Sequence, residues 1–393
     1  MKSVLIADLC QPVKSVNWTE FKSDSFDYID IGAIDRDLKR VTSASKLPVV
    51  DAPSRAKQPV IEGDILVSTV RSNLNAVAQI NNTYSGSIAS SGYCVLRPIK
   101  ERLESRYLYY YTRTIPFIGY LVNLATGASY PAVSDKIVKS NKIPLPSLET
   151  QKRIVVLLDQ AQELIDKRKE QITLMDQLVQ SLFYDMFGDP VTNPKGWDKF
   201  KIPAISTATQ IGPFGSLLHQ QDYIEGGIPL INPMHIQGGL VVPNCSYSIS
   251  EKKLSELSRY QVKVNDLIMG RRGEMGRCAV ITDKEDGYLC GTGSLFIRPC
   301  LDKITSTFLW FVLSSKSMKK KLEEFSLGAT MPNLNKKIID NLTLPTPPLK
   351  LQTTFTERVQ KIENQKKAMT KSLKKLEDNF NSLMQRAFKG ELT

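Results

Sequence analysis

Arg271 and Arg272 follow the run Asp266-Leu267-Ile268-Met269, and Arg71-Ser72-Asn73 follow the corresponding run Gly63-Asp64-Ile65-Leu66-Val67-Ser68-Thr69-Val70. Both runs read as strands. A guanidinium is a planar fork of donors that can grip guanine O6 and N7 together, and an Asn or Gln amide can do the same to adenine. A turn just beyond a strand suits that work, because the sheet holds it still while the loop reaches out. The competing reading is a surface arginine in a hairpin, paired to a carboxylate such as Glu274. Recurrence of the arrangement at two places favours recognition.

Two further loops pair Gly with hydroxyl or amide groups that can reach phosphate or base: Gly127-Ala128-Ser129-Tyr130-Pro131 and Gly328-Ala329-Thr330-Met331-Pro332-Asn333. Structural turns leading into a last strand would look the same. A third loop, Gly212-Pro213-Phe214-Gly215-Ser216 followed by His219-Gln220-Gln221, is polar and has no counterpart elsewhere in the chain. The candidate contacts are therefore Arg71, Ser72, Asn73, Ser129, Tyr130, Ser216, His219, Gln220, Arg271, Arg272, Thr330 and Asn333. Lys319-Lys320-Lys321 reads as a solvated helix face, at best a phosphate contact.

Catalytic machinery is missing from the sequence. There is no G-x-x-x-x-G-K-[ST] loop, no G-x-S-x-G elbow and no H-E-x-x-H. Asn232-Pro233-Met234-His235 begins like the loop of amino-methyltransferases but lacks its second Pro and its aromatic. The six Cys include no C-x-x-C pair, and with two His they make no zinc-finger spacing, which argues against structural zinc and a disulfide framework and for a reducing cytoplasm. No apolar run approaches the roughly 18 residues of a membrane span. Met1 to Cys10 reads as a first strand. The excess of 52 Lys and Arg over 40 Asp and Glu, +12 overall, favours a polyanionic partner.

The elements that must position these loops come twice. At an offset of 201, Ser91-Gly92-Tyr93-Cys94-Val95-Leu96-Arg97-Pro98 falls on Thr292-Gly293-Ser294-Leu295-Phe296-Ile297-Arg298-Pro299, Gly127 on Gly328, and Gln151 on Gln352. The expected organisation is a mixed α/β unit at 1–150, a long helix at 151–190, a second unit at 191–351 and a second long helix at 352–393. A shorter helix is expected inside each unit, at about 103–124 and 304–326. Heptad stripes run along the long helices: Ile154, Leu158, Ala161, Ile165, Ile172, Met175 and Leu182 in the first, Phe355, Ile362, Met369, Leu376 and Leu383 in the second. The first carries five basic and seven acidic groups and the second nine and five, so they should attract. The fold class expected is α+β, two tandem mixed units separated by two long antiparallel coiled-coil helices with a pseudo-two-fold repeat.

Taken in this order, these motifs resemble the specificity (S) subunit of type I restriction-modification systems. The resemblance covers essentially the whole chain, and rests also on Ile143-Pro144-Leu145-Pro146, on Gln151-Lys152-Arg153-Ile154 and on Met186-Phe187-Gly188-Asp189. The second half departs at Pro347-Pro348-Leu349-Lys350-Leu351-Gln352, which has no Glu before the Gln. The resemblance implies that each unit reads one half of a bipartite target in double-stranded DNA, and that the helices set the gap. It implies two modification subunits that methylate adenine with S-adenosylmethionine, and motor-nuclease restriction subunits that need ATP and Mg. No cofactor or metal is expected on this chain, no membrane partner, and no activity of its own. The alternatives are a reader in a related or nuclease-free assembly, and a structural nucleic-acid-binding pseudo-dimer.

Overall fold

The computed structural model describes residues 2–127, 130–244, 246–326 and 333–392, with the backbone alone at Ser216. The chain divides into two compact units, one formed by Met1–Glu170 with Thr370–Thr393 and one by Gln171–Met369. Each long helix thus contributes one half to each unit. The α+β class is as expected.

In unit 1 a four-stranded sheet has the order Cys10–Gln11, Tyr93–Pro98, Ile65–Ser68, Val77–Gln79, all antiparallel, with Tyr93 opposite Ser68. A second sheet joins Ser45–Pro48, Ser25–Ile29, Ile88–Ser90 and Ala56–Pro59. Unit 2 repeats the first sheet as Ser206–Ile211, Ser294–Pro299, Leu267–Gly270, Cys278–Val280. Its second sheet joins Tyr223–Ile224, Ser248–Ile249, Ile228–Ile231 and Leu289–Cys290. Strands this short cannot hold together by their ladders alone; all four residues of Ile65–Ser68 and of Leu267–Gly270 are buried between packed layers.

The residues that recur most faithfully turn out to carry the scaffold. Asp64, fully buried, accepts from Arg97 Nε at 2.9 Å and Nη2 at 2.7 Å, and from the Ile61 amide at 2.9 Å. Asp266 does the same with Arg298 at 2.8 and 2.7 Å and the Lys263 amide at 2.7 Å. Gln151 and Gln352 are both wholly buried at the start of a long helix. Gln151 accepts from the Glu104 amide and donates to the carbonyls of Arg102 and Pro146; Gln352 accepts from the Thr305 amide and donates to those of Lys303 and Pro347. Each glutamine ties the start of the long helix to the turn before a short helix, Ser105–Tyr111 in unit 1 and Ser306–Ser314 in unit 2.

Three sequence expectations need correction. The single helix at 103–124 is two, Ser105–Tyr111 and Ile115–Leu124, and that at 304–326 is Ser306–Ser314 and Lys316–Ser326. Thr114 and Ser315 interrupt them: each hydroxyl accepts an amide from the next helix, Phe117 at 3.4 Å and Met318 at 3.3 Å, starting a new helix in place of continuing the old. The opening segment is not one strand: Ser3–Leu5 pairs with Lys142–Pro144, then a 3-10 turn over Ile6–Leu9 buries Ile6 and Leu9 on one face. The long helices begin earlier than expected, running Leu148–Phe187 and Leu349–Lys389.

The helical stripe is buried unevenly. In unit 1, Ile154, Leu158 and Ile165 join one core with Phe380, Met384 and Ala387, with Ala161, Leu376 and Leu383 packed against it. That core also holds Tyr107 to Tyr111, so the helix end is part of the globular unit as well as of a helix pair. The direction is antiparallel, since Lys169 pairs with Glu377 at 3.3 Å while Asp176, farther along the first helix, pairs with Lys366, earlier in the second. In unit 2, Phe355 is fully buried among Phe183, Phe187, Phe308 and Phe311, with Leu182 and Ile362 against the same core and Lys366 paired to Asp176. Ile172, Met175 and Met369, at mid-helix, are only half-buried. Phe183, which the heptad reading passed over, is a centre of this aromatic group.

Candidate nucleic-acid interface

In unit 1 the two candidate loops meet. Val70 bridges to Ala132, the Thr69 carbonyl accepts the Val133 amide at 2.9 Å, and the Arg71 amide donates to the Pro131 carbonyl at 2.7 Å. The Arg71 guanidinium lies 4.6 Å over the Tyr130 ring. Arg71, Asn73 and Tyr130 are all exposed, presenting a guanidinium, an amide and an aromatic face at one place. Gly127 permits the loop at φ 106°, where an added Cβ would sit 3.0 Å from the Tyr130 carbonyl oxygen. Ser72 is buried, and its hydroxyl finds no partner among the described residues. Ser129 lies outside the described residues.

Unit 2 brings the same two loops together with different contents. The Arg271 amide donates to the Gly293 carbonyl, its carbonyl accepts the Leu334 amide at 2.9 Å, and its Nε donates to Asn333 Oδ1 at 2.9 Å. Arg271 is buried, which together with the adjacent Arg272 draws its pKa below the usual guanidinium value. Its Nε is thus engaged with Asn333. Arg272 is exposed and is the one of the pair free to reach outward. Thr330 lies outside the described residues.

Glu274 does not pair with Arg271 or Arg272. It accepts from Arg277 Nη2 at 2.9 Å and Lys319 Nζ at 3.1 Å, and these two hydrogen bonds hold its carboxyl below the usual range. Lys319 is thereby assigned to bracing this turn. His219 and Gln220 are exposed in a 3-10 turn over Gln220–Asp222, where Asp222 accepts the His219 amide at 2.7 Å and meets Lys253 at 3.5 Å. No hydrogen bond joins them to Arg271 among the described residues. The chain enters this loop at Gly212, where an added Cβ would stand 1.9 Å from the Gly291 carbonyl oxygen, so no other residue fits. Nothing is described of the Ser216 side chain.

Four of the thiols are not built as nucleophiles: burial pushes Cys10 and Cys278 up to about 12, and Cys94 and Cys290 upward as well. Among the described residues no cluster of His, Cys, Asp or Glu could hold a metal ion, and no helix is long and apolar enough to cross a membrane. What the surface offers is recognition chemistry, with Arg, Asn and Tyr on one unit and Arg, Asn, His and Gln on the other.

Residues 13–174 and 194–378 match the family model for the type I restriction modification DNA specificity domain. The chain is 23% identical over 318 residues to the type I restriction enzyme MjaVIII specificity subunit of Methanocaldococcus jannaschii, covering 78% of this chain and 74% of that one. It is 23% identical over 330 residues to the EcoBI specificity subunit of Escherichia coli, covering 76% and 68%. Its fold resembles a chain from a solved type I R-M system, with a TM-score of 0.69, 23% identity and coverage of 98% and 97%. It also resembles the type I S subunit from M. genitalium, at TM-score 0.54, 15% identity and coverage of 98% and 96%. With two matching segments that together span most of its length, the chain belongs to the type I restriction-modification DNA specificity family.

Proposed function

We propose that this chain is the non-catalytic sequence reader of a type I restriction-modification complex, with target-recognition domains at 1–150 and 191–351, each addressing one half of a bipartite site in double-stranded DNA. One observation carries the assignment of contacts: both units set an exposed arginine where the same two loops join, on a common scaffold but with unlike neighbours. Two readers of different base sequences need that combination. Arg71, Asn73 and Tyr130 would read one half; Arg272, Asn333, His219 and Gln220 the other, with Arg271 as support.

The helical segments 151–190 and 352–393 are spacers in this reading. The first also carries Val156, Leu157, Leu164, Leu174 and Leu178 at 45–55% exposure, a supply of apolar surface that suits docking of partner subunits. The partners proposed are two modification subunits that methylate adenine N6 with S-adenosylmethionine, and restriction subunits driven by ATP and Mg, all in the cytoplasm. Sequencing of modified DNA from a host expressing this chain with a modification subunit tests the reading. A single gapped bipartite motif that vanishes on deleting the chain is expected; methylation that is unchanged by the deletion would defeat it.

Spacer length should set the gap. Seven residues added at mid-helix to both long helices extend each by about 10 Å, on the order of three base pairs at 3.4 Å each. Selection on randomised duplexes is expected to return a changed gap with the same bases in each half. An unchanged gap would remove the spacer role.

A further inference from the structure

The Arg71 turn is bracketed by two residues with left-handed backbone, Arg71 at φ 52° and Asn75 at φ 45°. Neither is glycine, and such a conformation persists only where surrounding contacts enforce it. At the Arg71 end the enforcing contacts are the Pro131 carbonyl and the Tyr130 ring. At the other end the Asn75 carbonyl accepts a 2.6 Å hydrogen bond from Lys39 Nζ.

Lys39 closes the hairpin between Ile34–Asp35 and Arg40–Val41 and is itself left-handed at φ 53°. Its amide donates to the Asp35 carbonyl at 2.9 Å, and its carbonyl accepts the Tyr109 hydroxyl at 3.1 Å. Tyr109 is in turn stacked under Arg106 at 4.6 Å and Arg113 at 5.1 Å, and these bond Asp159 and Gln162 of the long helix at 2.8 and 2.9 Å. A continuous line of contacts runs from the helix, through Lys39, to the turn that carries Arg71 and Asn73.

We propose that Lys39 is a positioning residue for recognition by unit 1, its side chain fixing the Asn75 end of the Arg71 turn without touching DNA. The inference rests on the reading that this turn meets DNA. Lys39 is half-buried, and desolvation with the nearby Arg113 draws its pKa down to about 8. Among its described residues unit 2 lacks the device: its hairpin tip is Gly238-Gly239, packed so that a Cβ on Gly239 would stand 2.6 Å from the Trp310 ring, and its arginine turn is braced by Glu274 between Arg277 and Lys319. The second half-site is therefore an internal control.

The test uses the full chain assembled with its modification subunits. Binding is measured by fluorescence anisotropy, across a range of salt, to the cognate duplex and to duplexes altered in one half-site. Arg71→Ala identifies the half read by unit 1. Lys39→Met is expected to lose discrimination there by roughly 5–10-fold, keep it in the other half, and leave the salt slope unchanged, with Lys39→Arg restoring most of the loss. Full discrimination in Lys39→Met beside a loss in Arg71→Ala overturns the inference alone. A salt slope reduced by about one, with discrimination intact, makes Lys39 a phosphate contact and also overturns it. Equal losses in both halves, accompanied by a lower melting temperature in Lys39→Met and the milder Lys39→Gln, would mean a merely structural lysine. If Arg71→Ala discriminates as before in both halves, the reading beneath the inference fails.

Discussion

Asp266→Ala is expected to destabilise unit 2 by about 3 kcal/mol, toward the lower end of the range for breaking one side of a buried ion pair. The carboxylate is 1% exposed and accepts from both forks of Arg298 and from the Lys263 amide, so truncation strands a guanidinium and a backbone donor together. The Arg298 side chain is 28% exposed, and water reaching it moderates the cost. For a unit of this size the loss corresponds to a fall in Tm of roughly 6–12 °C, read by scanning calorimetry. Asp64→Ala should do the same in unit 1 through Arg97. A Tm unchanged by both substitutions would show that the pairs are not what closes these sheets.

Arg71→Ala is expected to act the opposite way, leaving stability near the parent value and removing about 1–3 kcal/mol of discrimination, roughly 5–150-fold, at one half-site. The side chain is exposed and its stack on an exposed Tyr130 contributes little to folding. Arg272→Ala should produce the matching loss at the other half-site. Arg271→Ala differs from both: its buried guanidinium holds Asn333, so it should lower the Tm as well as the discrimination. Competition binding with single-base variants of each half-site separates the three, and equal weakening at every position would point to phosphate contacts instead.

The opposite behaviour of Asp266 and Arg71 shows how recurrence should be read in this chain. The offset of 201 picks out Arg97 with Arg298 and Gln151 with Gln352 because both units solve the same packing problem: a buried carboxylate needs its arginine, and a buried helix start needs its glutamine. Scaffold constraints are shared, so scaffold residues repeat. Contacts to two different base sequences are not shared, and the residues around Arg71 and Arg271 diverge accordingly. Recurrence in the sequence thus favoured recognition at the arginine turns while its strictest instances marked architecture.

Much was settled by the sequence alone. Duplication, mixed α/β texture, two long helices with heptad stripes, positive charge and the lack of catalytic motifs are all linear properties, set by periodicity and composition, and together they led to the right family. What tertiary structure decided is which of the arginines stand exposed and which is engaged within the unit. Burial of Arg271 and Ser72, exposure of Arg272 and Tyr130, and the meeting of the Arg71 turn with the Pro131 loop depend on chain segments about 60 residues apart coming to lie side by side. Lys39 makes the same point: it lies 36 residues from Asn75, and no local pattern distinguishes it from other basic residues. Periodicity records which face of an element is apolar, whereas the partner of a single polar atom is fixed only when distant segments close on one another.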